Sequence, residues 1–166
     1  MKHETYIKIA FTVAEESKCV SWKVGALIVK DGRIISTGYN GTRSGAVNCC
    51  DHAKHAGWTE LRFDPSKTRN KIILNQDFRE NHSKWSKKHE IHAEINSILF
   101  SAKNGVSIDG ATLYTTLSPC EDCIKAICQS GIKTVVYAIE YDKASPTWQD
   151  DLLEAGITLI HIPQND

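Results

Sequence analysis

Four side chains stand at spacings that suit metal-assisted hydrolysis: His92 and Glu94 in "HAE", and Cys120 and Cys123 in "PCEDC". Two cysteines three residues apart at a helix start can aim both sulfurs at one ion. The partial positive charge at a helix N-terminus also favours their thiolate forms. A histidine from a second helix start supplies a third ligand. A catalytic zinc takes three protein ligands and keeps a fourth position for water, whose pKa it lowers toward roughly 7. Glu94 follows His92 by two residues, which sets a carboxylate beside that position without making it a ligand. There it can carry protons. Taken alone, C-x-x-C also reads as a redox pair or as half a zinc site. The neighbouring "HEIH" (His89–His92) is not a zincin motif, because H-E-x-x-H is needed to bring two histidines to one helical face.

These residues need elements that carry them together. His92–Asn104 reads as a helix with Ile95, Ile98 and Leu99 as its apolar stripe and Gly105 just beyond it. Ala111–Leu117 reads as a strand, Glu121–Ser130 as a helix closed by Gly131, and Lys133–Ile139 as a buried strand. A helix at Trp148–Glu154 and the strand "ITLIHI" follow. Upstream, Tyr6, Ile7, Ile9, Ala10, Val13 and Ala14 recur at helical spacing over about residues 4–17. "KVGALIVKDGRIISTGYN" reads as a β-hairpin turning at Asp31-Gly32. From Gly41 to Ser86 the chain is polar and reads as irregular, a length that calls for a function or a staple. Strands alternating with helices in the second half imply parallel pairing through right-handed crossovers. No repeat, low-complexity segment or linker divides the chain. It is read as one α/β domain over residues 1–166 with a loop-rich insertion at about 41–88.

Composition narrows the function classes. Twenty Lys and Arg balance twenty Asp and Glu, so formal net charge is zero. Backbone-gripping nucleic-acid proteins carry a basic excess. Zero charge therefore argues against nucleic acid or an anionic membrane as the main partner. No run approaches the roughly 20 apolar residues of a membrane helix. The charge-punctuated N-terminus lacks the apolar run of a signal peptide, so a cytoplasmic location is expected. Six cysteines in that compartment point to metal ligation before disulfides.

In combination, H-x-E followed by P-C-x-x-C is the signature of zinc nucleobase deaminases. The stretches "ESKCVSWKVGALI", "GRIISTGYNGT", "VNCCDHA", "EIHAEINSILFSAKNG" and "TLSPCEDCIKAICQSGIKTVVY" resemble, in order, those of deoxycytidylate deaminases of the T-even-like bacteriophage type. The likeness spans nearly the whole chain. It departs around Lys67–Asn81, which is shorter here, and after "HIPQND", where the family's longer tail is missing. The resemblance implies the cytidine-deaminase fold, a mixed five-stranded sheet with helices on both faces. It implies hydrolysis of dCMP to dUMP and ammonia, supplying dUMP for dTMP synthesis. The catalytic zinc would sit on His92, Cys120 and Cys123, with Glu94 as proton shuttle. It further implies a homohexamer acting in the host cytoplasm, activated by dCTP with Mg²⁺ and inhibited by dTTP.

The family's second, structural zinc would fall here on Cys19, Cys49, His82 and Glu90. A metal gathering those points would staple a polar insertion that has little core of its own. Cys50 and His89 are rival ligands. For the nucleotide, the resemblance assigns a role to "GYNGTRSG" (Gly38–Gly45), with Asn40 able to donate and accept and Arg43 suited to phosphate. The Ser118 carbonyl could accept from the exocyclic amine, while Tyr141 and Lys143 are candidates for stacking and phosphate binding. Lys103 stands where relatives carry Arg, so an effector contact there would meet a point charge in place of a fork. The rival readings are a polynucleotide or tRNA deaminase, a free cytidine or deoxycytidine deaminase, and a zinc-stapled nucleotide sensor without turnover. The last would not need Glu94.

Overall fold

A computed structural model describes residues 1–141 and 146–163. In chain order the elements are α1 (His3–Ala14), β1 (Gly25–Lys30), β2 (Arg33–Tyr39), β3 (Gly41–Thr42), α2 (Cys49–His55), β4 (Thr59–Asp64), β5 (Arg69–Leu74), a 3-10 turn (Gln76–Phe78), α3 (Arg79–His89), β6 (Glu90–Ile91), α4 (Ala93–Lys103), β7 (Thr112–Leu117), α5 (Glu121–Gln129), β8 (Thr134–Ile139), α6 (Trp148–Glu154) and β9 (Thr158–His161). They group into two compact units. One comprises Met1–Ser17, Val24–Asn40 and His92–Asp166; the other comprises Lys18–Lys23 and Gly41–Ile91. Among the described residues no helix is long and apolar enough to cross a membrane.

The first unit holds a five-stranded sheet in the order β2-β1-β7-β8-β9. β1 pairs antiparallel with β2 and β7, whereas β7, β8 and β9 run parallel. The sheet is therefore mixed, as expected. Asp31 and Gly32 both take positive φ (51° and 73°) and turn the β1–β2 hairpin tightly. One face of the sheet packs Tyr6, Ile7 and Ala10 of α1 against Leu27, Val29, Tyr114 and Val136. The other packs Ile124 and Ile127 of α5 and Trp148 and Leu152 of α6 against Ala26, Ile28, Leu113 and Val135. Helices on both faces thus bury a sheet whose central strands are apolar on both sides, the pattern parallel strands require. The structure ends α1 at Ala14, the last of the periodic residues and three short of the expected helix end near residue 17. Glu15, Glu16 and Ser17 donate to carbonyls only three residues back, a tightened last turn.

The second unit differs most from the sequence reading. In place of an irregular loop it contains α2, the antiparallel β4–β5 hairpin, the 3-10 turn and α3. Asn48 caps α2 by accepting from the Asp51 amide at 2.9 Å. The periodic signal is faint because these elements bury so little. α3 buries only His82, and β5 only Leu74.

Candidate active site and metal centres

In the first unit, three candidate ligands converge from two helix starts. His92 is the N-cap of α4 and Cys120 the N-cap of α5, with Cys123 in the first turn of α5. His92 Nδ1 lies 3.2 Å from Cys120 Sγ and 3.4 Å from Cys123 Sγ. All the donor atoms fall within 4.8 Å of one another. Tetrahedral zinc bonds sulfur at about 2.3 Å and nitrogen at about 2.0–2.1 Å, which holds such donors roughly 3.5–3.8 Å apart. The two nitrogen–sulfur distances are slightly shorter than that, and a small outward movement of the side chains would let the triad accept such an ion. The Cys120 thiol is lowered to about 4, first by its hydrogen bond with Cys123, while the Cys123 thiol is raised by the same contact and by burial. A cation held by the triad would take the place of the proton between the two sulfurs.

Glu94 lies in the first turn of α4 and is 3 % exposed. Burial pushes its carboxyl up to about 7. It reaches Cys123, so a proton-carrying group sits directly against the sulfurs. Ser118 is buried at the start of the cysteine loop. Its N–H donates to the Ile139 carbonyl at 2.8 Å, and its hydroxyl accepts from the Tyr141 amide at 2.8 Å. Tyr141 is tied by its backbone to the loop that carries Cys120. Asn40 is buried as well: its Oδ1 accepts from the Val24 amide at 2.8 Å and its carbonyl from the Ser17 hydroxyl at 2.8 Å. Lys103 is exposed at the end of α4. Lys143 lies outside the described residues.

The second unit gathers Cys19, Cys49, His82 and Glu90. Cys19 Sγ lies 3.8 Å from Cys49 Sγ, 3.7 Å from His82 Nε2 and 3.5 Å from Glu90 Oε2. Cys49 Sγ is 3.2 Å from His82 Nε2. The donor set again has zinc-like spacing. Glu90 Oε1 is buried without a hydrogen-bond partner among the described residues, and burial pushes this carboxyl up to about 7. An orphaned oxygen among sulfur and imidazole donors calls for a cation. Neither rival ligand joins the cluster. Cys50 is half-buried, with its amide on the Lys18 carbonyl. His89 is exposed and stacks on Trp85 at 4.9 Å. Arg43 is exposed just past β3. The sequence reading missed Ser86, whose hydroxyl donates to Glu90 Oε2 at 2.6 Å. Its only signal was the four-residue spacing along one helical face.

Three comparisons bear on these centres. A family model of the cytidine and deoxycytidylate deaminase zinc-binding region matches residues 1–139. The deoxycytidylate deaminase of Enterobacteria phage T4 is 51 % identical over 180 aligned residues, covering all of this chain and 92 % of the relative. The crystal structure of the dCMP deaminase from cyanophage S-TIM5, in complex with dCMP and dUMP, superposes with a TM-score of 0.70 at 33 % identity, covering 98 % of this chain and 99 % of that one.

Proposed function

Because the chain belongs to the cytidine and deoxycytidylate deaminase family, a family of zinc-binding deaminases, we propose that it hydrolyses dCMP to dUMP and ammonia. The observation that carries this reading is the buried Glu94 carboxyl against a His92–Cys120–Cys123 triad of zinc-like spacing. The named activity of the T4 and S-TIM5 relatives supports the substrate.

His92, Cys120 and Cys123 would hold the catalytic zinc, which when bound supplies an activated water at neutral pH. Glu94 would take a proton from the attacking water as the water oxygen adds to C4 of the cytosine ring. Glu94 gives the proton to ring N3. It then carries the second water proton to the exocyclic amine as the C4–N4 bond breaks, so ammonia leaves and the carbonyl of uracil forms. A carboxyl poised near neutrality by burial suits both transfers. Asn40, Ser118 and Tyr141 border the nucleotide in this reading, with Arg43, Lys103 and Lys143 available to phosphate groups of substrate or effector. Cys19, Cys49, His82 and Glu90 would hold a second, structural zinc, a role supported by the orphaned Glu90 oxygen. The likeness to the phage enzymes supports the remaining parts: activation by dCTP with Mg²⁺, inhibition by dTTP, a homohexamer, a host-cytoplasmic site of action, and one catalytic domain carrying its insertion.

Ultraviolet-monitored turnover of dCMP beside deoxycytidine, CMP and dCTP, each with and without dCTP–Mg²⁺, tests the proposal. Fast loss of dCMP absorbance with deoxycytidine nearly inert is the expected result. No turnover of any of them by zinc-loaded protein would overturn it.

A further inference from the structure

The first two turns of α4 lie against β2 with no side chain between them at one point. Gly38 is not in the left-handed region, so no unusual backbone demands glycine there. Space does. A Cβ on Gly38 would fall 2.3 Å from the Ala93 carbonyl oxygen, 2.6 Å from the Ser97 nitrogen and 3.1 Å from Ser97 Cα. Ala93 is the residue between His92 and Glu94. Two neighbours in β2 continue the contact. The Ser36 hydroxyl donates to the Ser97 carbonyl at 2.6 Å, and the Tyr39 carbonyl accepts from Asn96 Nδ2 at 2.7 Å. Ser97 in turn donates its hydroxyl to the Glu94 carbonyl at 2.7 Å. Ser36 and Ser97 are both buried.

Resting on the deaminase reading above, we propose that Gly38, with Ser36, is a positioning residue that seats the His92–Glu94 turn against β2 and so fixes the Glu94 carboxylate relative to Cys120 and Cys123. Relieving the Ala93 contact with a methyl at position 38 requires a shift of about 1 Å, a displacement that can cost roughly a hundredfold in rate. The shift falls on the turn that bears both the imidazole ligand and the proton carrier. The sheet contains its own control. A Cβ on Gly25 would meet α1 just as closely, 2.1 Å from the Ala10 oxygen and 2.7 Å from the Ala14 nitrogen. α1 carries no ligand or proton carrier.

The experiment compares zinc-loaded wild type, Gly38→Ala, Gly25→Ala and Ser36→Ala for zinc per chain, melting temperature, KM and kcat on dCMP, and the absorption spectrum of the cobalt(II)-substituted protein. Both glycine variants should lose stability. Only Gly38→Ala should lose kcat about a hundredfold with KM nearly unchanged, and only it should alter the cobalt spectrum. Ser36→Ala, which removes a hydrogen bond without a clash, should lose about fivefold in kcat. Unchanged kcat in Gly38→Ala, or an equal loss in Gly25→Ala, would overturn the proposal. If Gly38→Ala does not fold, Ser36→Ala decides: reduced kcat at full zinc content supports the assignment, and wild-type kcat overturns it. If wild type itself leaves dCMP untouched, the substrate reading fails. The seating is then judged by the cobalt spectrum alone, where a change in Gly38→Ala but not Gly25→Ala supports it and parallel behaviour overturns it.

Discussion

Glu94 combines two properties that water keeps apart: it is a carboxyl, and its pKa is pushed up to about 7 because burial disfavours its charge. Glutamine matches its shape and loses only the ability to accept and return a proton. Glu94→Gln should therefore retain zinc while kcat falls by roughly 10²–10⁴-fold, read by metal analysis beside the dCMP assay. Full activity in that variant would remove Glu94 from the mechanism. This residue and the three candidate ligands beside it were legible in the sequence because rare residue types stand at short, fixed spacings. Ser86, Ser36 and Ser97 were not legible. Serine is common, and each acts through a partner chosen by the fold: Ser36 reaches Ser97 sixty-one residues away. Asn40 was read as a nucleotide contact; what the structure shows is its side-chain oxygen closing the entry to β1 through the Val24 amide. That task has no signature in sequence.

At the scale of elements, the first unit's helices and strands were readable from periodicity because each buries a definite face. α5 buries Cys123, Ile124 and Ile127, and β8 buries four consecutive residues. The elements between Cys49 and Ile91 bury almost nothing apolar, so their pattern is weak. Their stability has to come from somewhere other than a core. A two-stranded hairpin such as β4–β5 is marginal by itself, and α3 buries a histidine in place of an apolar stripe. A metal on the proposed second site would supply the missing free energy. Chelation, or Cys49→Ser, should make the chain between Lys54 and Lys88 sensitive to trypsin while the sheet of the first unit resists. Equal resistance with and without metal would show that the insertion holds itself together. On the other sheet face, Tyr114 is buried beside Tyr6, with ring centroids 4.7 Å apart, and its hydroxyl meets His3 Nδ1 at 2.9 Å. Burial first, and Tyr6 second, push this phenol up to about 12 from an ordinary value of 10.0. Between those values the unfolded chain has released a proton that the folded chain keeps, so stability falls as pH rises through the window. Absorbance at the phenolate band should show Tyr114 ionising late and together with unfolding, while Tyr137, which burial also raises, lags the remaining three of the five tyrosines. Ionisation of Tyr114 near the ordinary value, before unfolding, would show that α1 does not seal it.

At the scale of the whole molecule, zero net charge conceals a segregation. The unit made of Lys18–Lys23 and Gly41–Ile91 holds 12 Lys and Arg against 6 Asp and Glu, a formal +6. The other unit holds 8 against 14, a formal −6. A zinc ion on Cys19 and Cys49 leaves the first figure unchanged, because its two charges offset two thiolates. The exclusion of polyanionic partners drawn from the overall balance therefore applies to the sum and not to each surface. Lys84, Lys87 and Lys88 crowd one helix, exposed, and among the described residues only Lys84 is paired, to Glu80. Exposed charges interact over a Debye length of about 10 Å at 0.1 M salt and about 30 Å at 0.01 M. Lower salt therefore strengthens the attraction of each unit's own charge to a resin of opposite sign. At pH 7, where the composition predicts an isoelectric protein, the chain should be retained by both cation- and anion-exchange resins at about 0.01 M salt and released from both by a few tenths molar. Charge reversal at Lys84, Lys87 and Lys88 should weaken retention on the cation exchanger and strengthen it on the anion exchanger, with dCMP turnover unchanged. Passage through both resins at low salt would mean that ion pairing within or between copies of the chain has already neutralised the two surfaces.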